Sequence, residues 1–241
     1  MQNDNIALRD KVAWVTGGGR GIGAAVAARL ASLGATVLIT GRSPAPLQVT
    51  RDAIVSAGGR CATEICDVTA WEQVEATVHR VQKDFGRLDI LVNNAGVGAP
   101  GGPLHQLPFD QWEAMMNTNL RGVFYCIKAG VPLMLATGGH IINISSIASK
   151  NALPGAAAYA ATKWGLNGLS VAVAEELRSQ NIRVSIVCPG STDTELIRAF
   201  GARDNSRMLK PTDVAHVVAM LVTQDTNSFA SEIILRPTQK P

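Results

Sequence analysis

Lys11-Val12-Ala13-Trp14-Val15-Thr16 runs without a break into Gly17-Gly18-Gly19-Arg20-Gly21-Ile22-Gly23, and this stretch decides the architecture. Its first six residues form a short, mostly apolar run of the kind a strand shows when both of its faces are buried in a parallel sheet. An Ala-rich stretch of helical character follows and ends near Leu33-Gly34. Strand, glycine turn and helix in that order make a phosphate-binding unit. The turn lets backbone approach a pyrophosphate, and the first N–H groups of the helix have no partner within it. The glycines fall as Gly17-x-x-x-Gly21-x-Gly23, which departs from the common dinucleotide fingerprint. Glycine would also serve a tight structural turn.

Reading outward, strand and helix patterns keep alternating. Ala35-Thr36-Val37-Leu38-Ile39-Thr40 is a second strand, followed by a helix over 45–57 that Gly58-Gly59 stops. Cys61-Ala62-Thr63-Glu64-Ile65-Cys66 is a third strand, followed by a helix from about Ala70 to Phe85-Gly86. Leu88-Asp89-Ile90-Leu91-Val92-Asn93 is a fourth, ending in the sharp turn Asn93-Asn94-Ala95-Gly96. Short links between such elements predict right-handed crossovers and one doubly wound, Rossmann-type α/β domain over residues 1–241. Ligands of these folds bind outside the carboxyl ends of the strands, where the glycine turns collect. With 46% hydrophobic residues and 23 glycines in 241 residues, the chain is sized for one such domain.

Composition narrows the partners. A net charge of +3, with no dense Lys/Arg tract carrying interleaved aromatics, argues against nucleic acid. No stretch of 18 apolar residues predicts a membrane span, and residues 1–10 lack the basic and apolar regions of a secretion signal, so the expected setting is cytoplasmic. Cys61, Cys66, Cys126 and Cys188 stand in apolar or strand-like settings without metal spacing and read as reduced core thiols, with no metal expected.

The end of the second strand bears on the cofactor. An acidic residue there would bond the adenosine ribose, whereas an Arg accommodates a 2′-phosphate. Gly41 stands at that position with Arg42 beside it and Arg20 available from the glycine loop, which predicts NADP(H). Arg42 also fits a solvated loop cation. Asp67-Val68 closes the third strand and suits either an adenine contact or, for Asp67, an N-cap of the next helix.

The chemistry concentrates between Ser146 and Lys163. Tyr159 and Lys163 are four apart in an Ala-rich helical run, so both leave one face a turn apart. A phenol of ordinary pKa about 10 is a poor acid–base group near neutrality, and a neighbouring ammonium favours its ionised form. Ser146 follows the buried strand Ile141-Ile142-Asn143-Ile144, so a carbonyl oxygen fits between Ser146 and Tyr159.

Thr16-Gly17-x-x-x-Gly21-Ile22-Gly23, Asn93-Asn94-Ala95-Gly96, Ser146 and Tyr159-x-x-x-Lys163, in this order, resemble the short-chain dehydrogenase/reductase family over nearly the whole chain. The general appearance is that of its 3-oxoacyl-(acyl-carrier-protein) reductases. The resemblance implies a seven-stranded parallel sheet, a homotetramer or homodimer, and metal-free hydride transfer between a nicotinamide and a carbonyl or alcohol carbon. It makes Tyr159 the proton donor, Lys163 the group that binds the nicotinamide ribose and lowers the tyrosine pKa, and Ser146 the group that positions the carbonyl oxygen. Asn119, in a long helix between Pro108 and Thr137, matches the asparagine that supports the lysine through a water and a local helix distortion. An ordinary buried amide is its alternative, and Asn117 lies two positions out of pattern.

The expected cofactor-binding set includes Gly17, Gly19, Arg20, Gly21, Ile22 and Gly23 of the glycine loop and Asn94, Ala95 and Gly96 of the turn after the fourth strand. Pro189, Gly190, Thr192 and Thr194 match the segment that holds the nicotinamide carboxamide. Glu195 to Lys210 should form a lid, whose Leu196, Ile197, Phe200, Met208 and Leu209 suit an apolar substrate body. Its Arg198, Arg203 and Arg207 are available to an anionic group, so a carrier-bound acyl thioester stands among the candidate substrates. Small residues Ala156, Ala160 and Gly165 on the far side of the catalytic helix suit close approach of a partner helix or packing within one subunit. The C-terminal Arg236-Pro237-Thr238-Gln239-Lys240-Pro241 departs from the acidic residue and two glycines of many members. A nucleotide sensor without chemistry is the reading from another class, and the complete catalytic set speaks against it.

Overall fold

The computed structural model describes residues 7–99, 101–151, 153–198 and 205–239. Seven strands form one sheet in the order β3-β2-β1-β4-β5-β6-β7. They are β1 Val12–Thr16, β2 Thr36–Gly41, β3 Arg60–Ile65, β4 Ile90–Asn93, β5 Gly139–Ile144, β6 Ile182–Pro189 and β7 Glu232–Leu235. Every neighbouring pair is parallel. The strand order reverses between β1 and β4, which opens a crevice there at the carboxyl ends.

Alternation along the strands divides the core between the two faces. Ala13, Val15, Val37, Ile39, Val92 and Ile142 face α1 (Gly21–Ser32), α2 (Pro44–Ser56) and α8 (Pro211–Val222). Val12, Trp14, Leu38, Leu91, Ile141 and Val184 face α3 (Trp71–Phe85), α5 (Gly122–Gly130) and α6 (Ala157–Leu177). Both sets are buried, which is why the strands read as apolar runs without polar alternation. Trp14 is tolerated in the centre because its one polar group, the Nε1–H, donates to Thr40 Oγ1 at 3.0 Å. The helix ends follow the glycines. Gly34 (φ 97°), Gly58 (φ 83°) and Gly86 (φ 72°) all take the left-handed conformation just past α1, α2 and α3.

The helix expected between Pro108 and Thr137 is not continuous. It divides into α4 (Phe109–Met116), a π turn over Asn117–Arg121 and α5, and a short 3₁₀ turn at Val131–Leu133 ends it. A π turn accommodates an extra residue, and here it carries Asn119 into the interior, where it is fully buried. Asp67 does not cap α3. Its Oδ1 instead accepts from Thr69 N at 2.9 Å and Thr69 Oγ1 at 2.8 Å, while Ala70 holds the cap position. The short local turn satisfies the carboxylate before the helix begins. Gly165 faces Leu120 of its own subunit, so close packing within the chain accounts for its size.

His140 on β5 is a buried base that fixes a pH dependence. The single Ser185 hydroxyl proton goes to Ala230 O at 2.7 Å, so His140 Nε2, 2.8 Å from Ser185 Oγ, carries the donor proton. Burial, reinforced by Arg183, pushes its pKa down to about 3. The unfolded chain therefore takes up a proton below about 6.5 that the folded chain refuses until about 3. Folding stability contributed by neutral His140 is complete above about pH 6.5 and is lost as pH falls toward 3, at a limiting slope of about 1.4 kcal/mol per pH unit. Urea unfolding of the parent and His140→Asn between pH 7 and 4 should show that slope flattened in the variant. Parallel slopes would refute the assignment.

Candidate active site

The glycine loop stands at the switch point and is shaped by backbone needs. Gly17 (φ 64°) and Gly21 (φ 53°) are left-handed, and a Cβ built on Gly17 would lie 3.0 Å from Ala95 Cα. A Cβ on Gly23 would lie 2.3 Å from Gly17 O and 2.4 Å from Asn94 Nδ2. The loop is pinned across the crevice. Thr16 Oγ1 accepts from Asn94 N and Ala95 N, both at 3.0 Å, and Asn94 Nδ2 donates to Thr16 O at 2.9 Å and Gly17 O at 3.1 Å. Arg20 caps α1 in an extended conformation with no side-chain hydrogen bond to the helix, so the first N–H groups of this 12-residue helix face the crevice. Close-packed glycine backbone beside a helix N-terminus suits a pyrophosphate.

A cavity of about 780 Å³ runs from this loop across the sheet edge. Gly17, Gly19, Arg20, Gly21 and Ile22 line one part of it. Arg42, Asp67 and Val68 line the part beyond the ends of β2 and β3, and Asn94, Ala95 and Gly96 the part beyond β4. Ser146, Tyr159 and Lys163 stand at the far end with Pro189, Gly190, Thr192 and Thr194. Gly23 and Asn119 do not touch the cavity. Gly23 lies behind the loop, and Asn119 lies behind Gly96. Arg42 is exposed, with no ion-pair partner among the described residues. Arg20, expected to be available to a phosphate, pairs with Glu195 of the four-residue α7 (Glu195–Arg198), tying the glycine loop to the start of the lid.

Tyr159 and Lys163 leave α6 toward the cavity as their spacing requires, with Lys163 Nζ 5.7 Å from the Tyr159 ring centre. Lys163 is 5% exposed and donates to Ile144 O at 3.0 Å. Burial holds its pKa down at about 8, partly offset by nearby Cys188. Burial pushes the Tyr159 phenol up, and its hydrogen bond with the Ser146 hydroxyl pulls the other way. The lowering of the phenol pKa expected from the spacing is thus not produced by the protein alone. The ammonium is itself weakened by the same desolvation. Ser146 Oγ accepts from Ala148 N at 3.1 Å at the start of a 3₁₀ turn over Ile147–Ser149, which aims the hydroxyl at Tyr159.

Asn119 Oδ1 accepts from Val97 N at 2.8 Å, and its Nδ2 donates to Val97 O at 2.9 Å and Thr162 Oγ1 at 3.1 Å. It therefore holds the segment after Gly96 against α6. A Cβ on Gly96 would lie 3.4 Å from Asn119 Oδ1 and 3.9 Å from Lys163 Nζ, so both groups border the same small space.

Beyond Tyr159 the cavity wall is apolar, formed by Val97, Ile147, Leu153, Pro154, Leu196 and Ile197. The sequence reading missed the first four because they lie in irregular loops without a motif. The lid reading is described over 195–198 and 205–210. Thr192 pairs with Leu209 in an isolated parallel bridge that fixes the lid's return. Arg203, Phe200 and the side chain of Arg198 lie outside the described residues. The departing C-terminus has a visible role: Pro237 packs on Gly190, and Gly190 N donates to Leu235 O at 2.8 Å, which buttresses the turn at the end of β6. Cys66, Cys126 and Cys188 are buried, Cys61 partly so, and all four thiols are free. Among the described residues no group of three or more His, Cys, Asp or Glu could hold a metal ion, and no helix is long and apolar enough to cross a membrane.

The sequence profile described as short chain dehydrogenase matches residues 11–205. The chain is 38% identical to a 3beta-hydroxysteroid dehydrogenase of Mediterraneibacter gnavus over 199 residues, 83% of this chain and 72% of that one. Among solved structures, a metagenomic short-chain oxidoreductase in complex with NADP shares 45% identity with a TM-score of 0.87, covering 97% of this chain and 100% of the other. Carveol dehydrogenase from Mycobacterium avium in complex with NAD shares 29% identity with a TM-score of 0.89, covering 95% and 96%. Glycine cradle, parallel sheet and profile agree, and the chain belongs to the short-chain dehydrogenase family, oxidoreductases that act between CH–OH and C=O groups.

Proposed function

We propose that this chain is an NADP(H)-dependent ketone reductase in which Tyr159 donates the proton to the carbonyl oxygen. The observation that carries the reading is the convergence of Ser146, Tyr159 and Lys163 at the far end of the cavity that begins in the glycine cradle. When bound, the nicotinamide supplies the hydride that the carbonyl carbon accepts. Ser146 holds the carbonyl oxygen beside the Tyr159 phenol, so that charge developing on oxygen is met by two hydroxyl donors. Lys163 binds the nicotinamide ribose and returns a proton toward Tyr159, and Asn119 supports it across the space bordered by Gly96. The glycine loop and the N-terminus of α1 hold the pyrophosphate, and the segment from Pro189 to Thr194 holds the carboxamide.

The 2′-phosphate falls to Arg42, with Arg20 exchanging Glu195 for phosphate. Two features favour NADP(H): the absence of a carboxylate at Gly41 and an exposed guanidinium beside it. The NADP bound by the 45% identical structure agrees. Arg42→Ala should lower the NADPH-over-NADH ratio of kcat/KM about tenfold, because a charge-assisted contact is lost only with the phosphorylated cofactor. An unchanged ratio would move the phosphate elsewhere.

For the substrate, the apolar wall beyond Tyr159 favours a neutral, bulky ketone, and the hydroxysteroid and carveol dehydrogenases named above carry names of the same character. A 3-oxoacyl thioester is the second reading, resting on the lid arginines. Nicotinamide absorbance followed with cyclic ketones, steroid ketones and an acetoacetyl thioester separates the two. Silence with all of them despite tight NADPH binding would favour a sensor. A homodimer or homotetramer paired through α5 and α6 is supported by the exposed Phe124, Trp164 and Val171 on those helices, and a cytoplasmic setting by the free thiols.

A further inference from the structure

The buried amide of Asn167 has no part in the mechanism above, yet its hydrogen bonds run into the segment that carries Ser146. Asn167 lies on α6, four residues after Lys163 and eight after Tyr159, so the three side chains leave neighbouring positions of one helix face. Its Oδ1 accepts from Ser145 Oγ at 2.6 Å, and its Nδ2 donates to Ser149 Oγ at 3.0 Å. Ser149 Oγ in turn donates to Ser146 O at 2.6 Å. Each serine has one hydroxyl proton, so these directions are mutually required. Ser145 spends its proton on the amide oxygen, and Ser149 spends its own on Ser146 O and must accept from the amide nitrogen. Asn167, Ser145 and Ser149 are 7%, 3% and 0% exposed, so water does not substitute for a lost partner.

The consequence is geometric. The amide grips the residue before Ser146 and the residue that ends its 3₁₀ turn. It does so from the helix that also carries Tyr159 and Lys163. Ser146 itself touches α6 through its bond to Tyr159, and its other side-chain partner is Ala148 N on its own turn. The registry between the hydroxyl that holds the carbonyl and the phenol that protonates it therefore depends on a clamp outside both residues. A hydrocarbon side chain would fill the same volume but would take from Ser145 its acceptor at 2.6 Å and from Ser149 its donor at 3.0 Å, leaving Ser145 only the longer contact to Lys163 O at 3.5 Å and Ser149 only its own bond to Ser146 O and the Cys188 thiol.

We propose that Asn167 is a positioning residue for the reaction, its amide clamping both ends of the Ser145–Ser149 turn to α6 and so setting Ser146 Oγ against the Tyr159 phenol. The proposal rests on the functional reading above. Asn167→Asp keeps the acceptor for Ser145 but places an acceptor where Ser149 needs a donor, and Ser149→Ala cuts the same chain one link later without adding a charge. Each should lower kcat about tenfold, a change of one buried hydrogen bond in registry, while the Kd for NADPH stays within about twofold because the glycine cradle is untouched. The alkaline rise of alcohol oxidation should move to higher pH in both, because Ser146 no longer stabilises the phenolate as well. In the double variant the loss should not exceed the larger single loss, since both cuts act through one chain.

The measurements are steady-state kcat across pH, NADPH titration and a thermal melt for Asn167→Asp, Ser149→Ala and the double variant, with Tyr159→Phe alongside. Should Asn167→Asp not fold, Ser149→Ala carries the test alone. Folded variants with kcat within about twofold of the parent, or with lower kcat but an unmoved pH profile, would overturn the clamp while leaving the catalytic reading intact. Full turnover in Tyr159→Phe would remove that reading, and the clamp with it.

Discussion

Tyr159→Phe should cost turnover about 10²- to 10⁴-fold while leaving NADPH affinity unchanged. The substitution removes one hydroxyl and keeps the ring, so packing along α6 is preserved and the loss isolates proton transfer. No neighbouring group stands ready to take over. Lys163 is turned to Ile144 O at 3.0 Å, and Lys150 is held by Glu232 at 2.7 Å. Ser146 keeps its bond from Ala148 N, and a serine hydroxyl is too weak an acid to replace a phenol. Single-turnover reduction combined with fluorescence titration of NADPH makes the separation. A variant retaining more than about a tenth of parental turnover would exclude Tyr159 as the proton donor. Because burial pushes the phenol up and holds Lys163 down at about 8, the tyrosine should keep its proton in mildly alkaline buffer while wild-type reduction falls as pH rises through about 8, where the lysine that returns the proton loses its own.

Gly23→Ala should abolish nucleotide binding at ordinary concentrations, a weakening of about 100-fold or more, and lower stability by about 1–3 kcal/mol. The new methyl would stand 2.3 Å from Gly17 O and 2.4 Å from Asn94 Nδ2. Neither neighbour can yield cheaply. Gly17 O and Thr16 O both receive the Asn94 amide, and Asn94 N is fixed on Thr16 Oγ1. Relief has to come from moving the glycine loop, which displaces the backbone that meets the pyrophosphate. Gly102→Ala is the matched control, since nothing lies within 4 Å of a Cβ there, its backbone is not left-handed, and it stands outside the helices proposed to pair. It should bind NADPH normally and gain a few tenths of a kcal/mol or more from reduced chain entropy. Calorimetric titration and thermal melts of the two variants decide the point. Normal affinity in Gly23→Ala would mean that the loop is not the cradle.

Much of this site could be read in the residues because its chemistry is local in sequence. Tyr159 and Lys163 share a helix face by their spacing. Gly17, Gly21 and Gly23 announce a turn that only glycine makes, and Gly41-Arg42 puts a cation beside a missing carboxylate. Other features resisted reading for physical reasons. Asn119 appears as one polar residue in a long helical pattern, and only the π turn shows that it is carried inward to bond Val97. Asp67 has the composition of a cap, yet it closes its own turn with Thr69 first. The cavity wall of Val97, Ile147, Leu153 and Pro154 comes from loops whose course depends on the sheet beneath them.

The sequence by itself determined the alternation of buried strands and helices, the single parallel sheet and the residue types offered to the cofactor and the carbonyl, because periodicity and turn chemistry act over a few residues. Tertiary structure alone decided how those groups meet. Burial, a property of the packed chain, pushes the Tyr159 phenol up and the Lys163 ammonium down, the reverse for tyrosine of what spacing suggests. Registry between Ser146 and Tyr159 depends on the hydrogen bond that Asn167 accepts from Ser145 and the one it donates to Ser149, 22 and 18 residues away along the chain. A partner at that distance is chosen by the fold, since loop closure brings together groups that no local pattern connects.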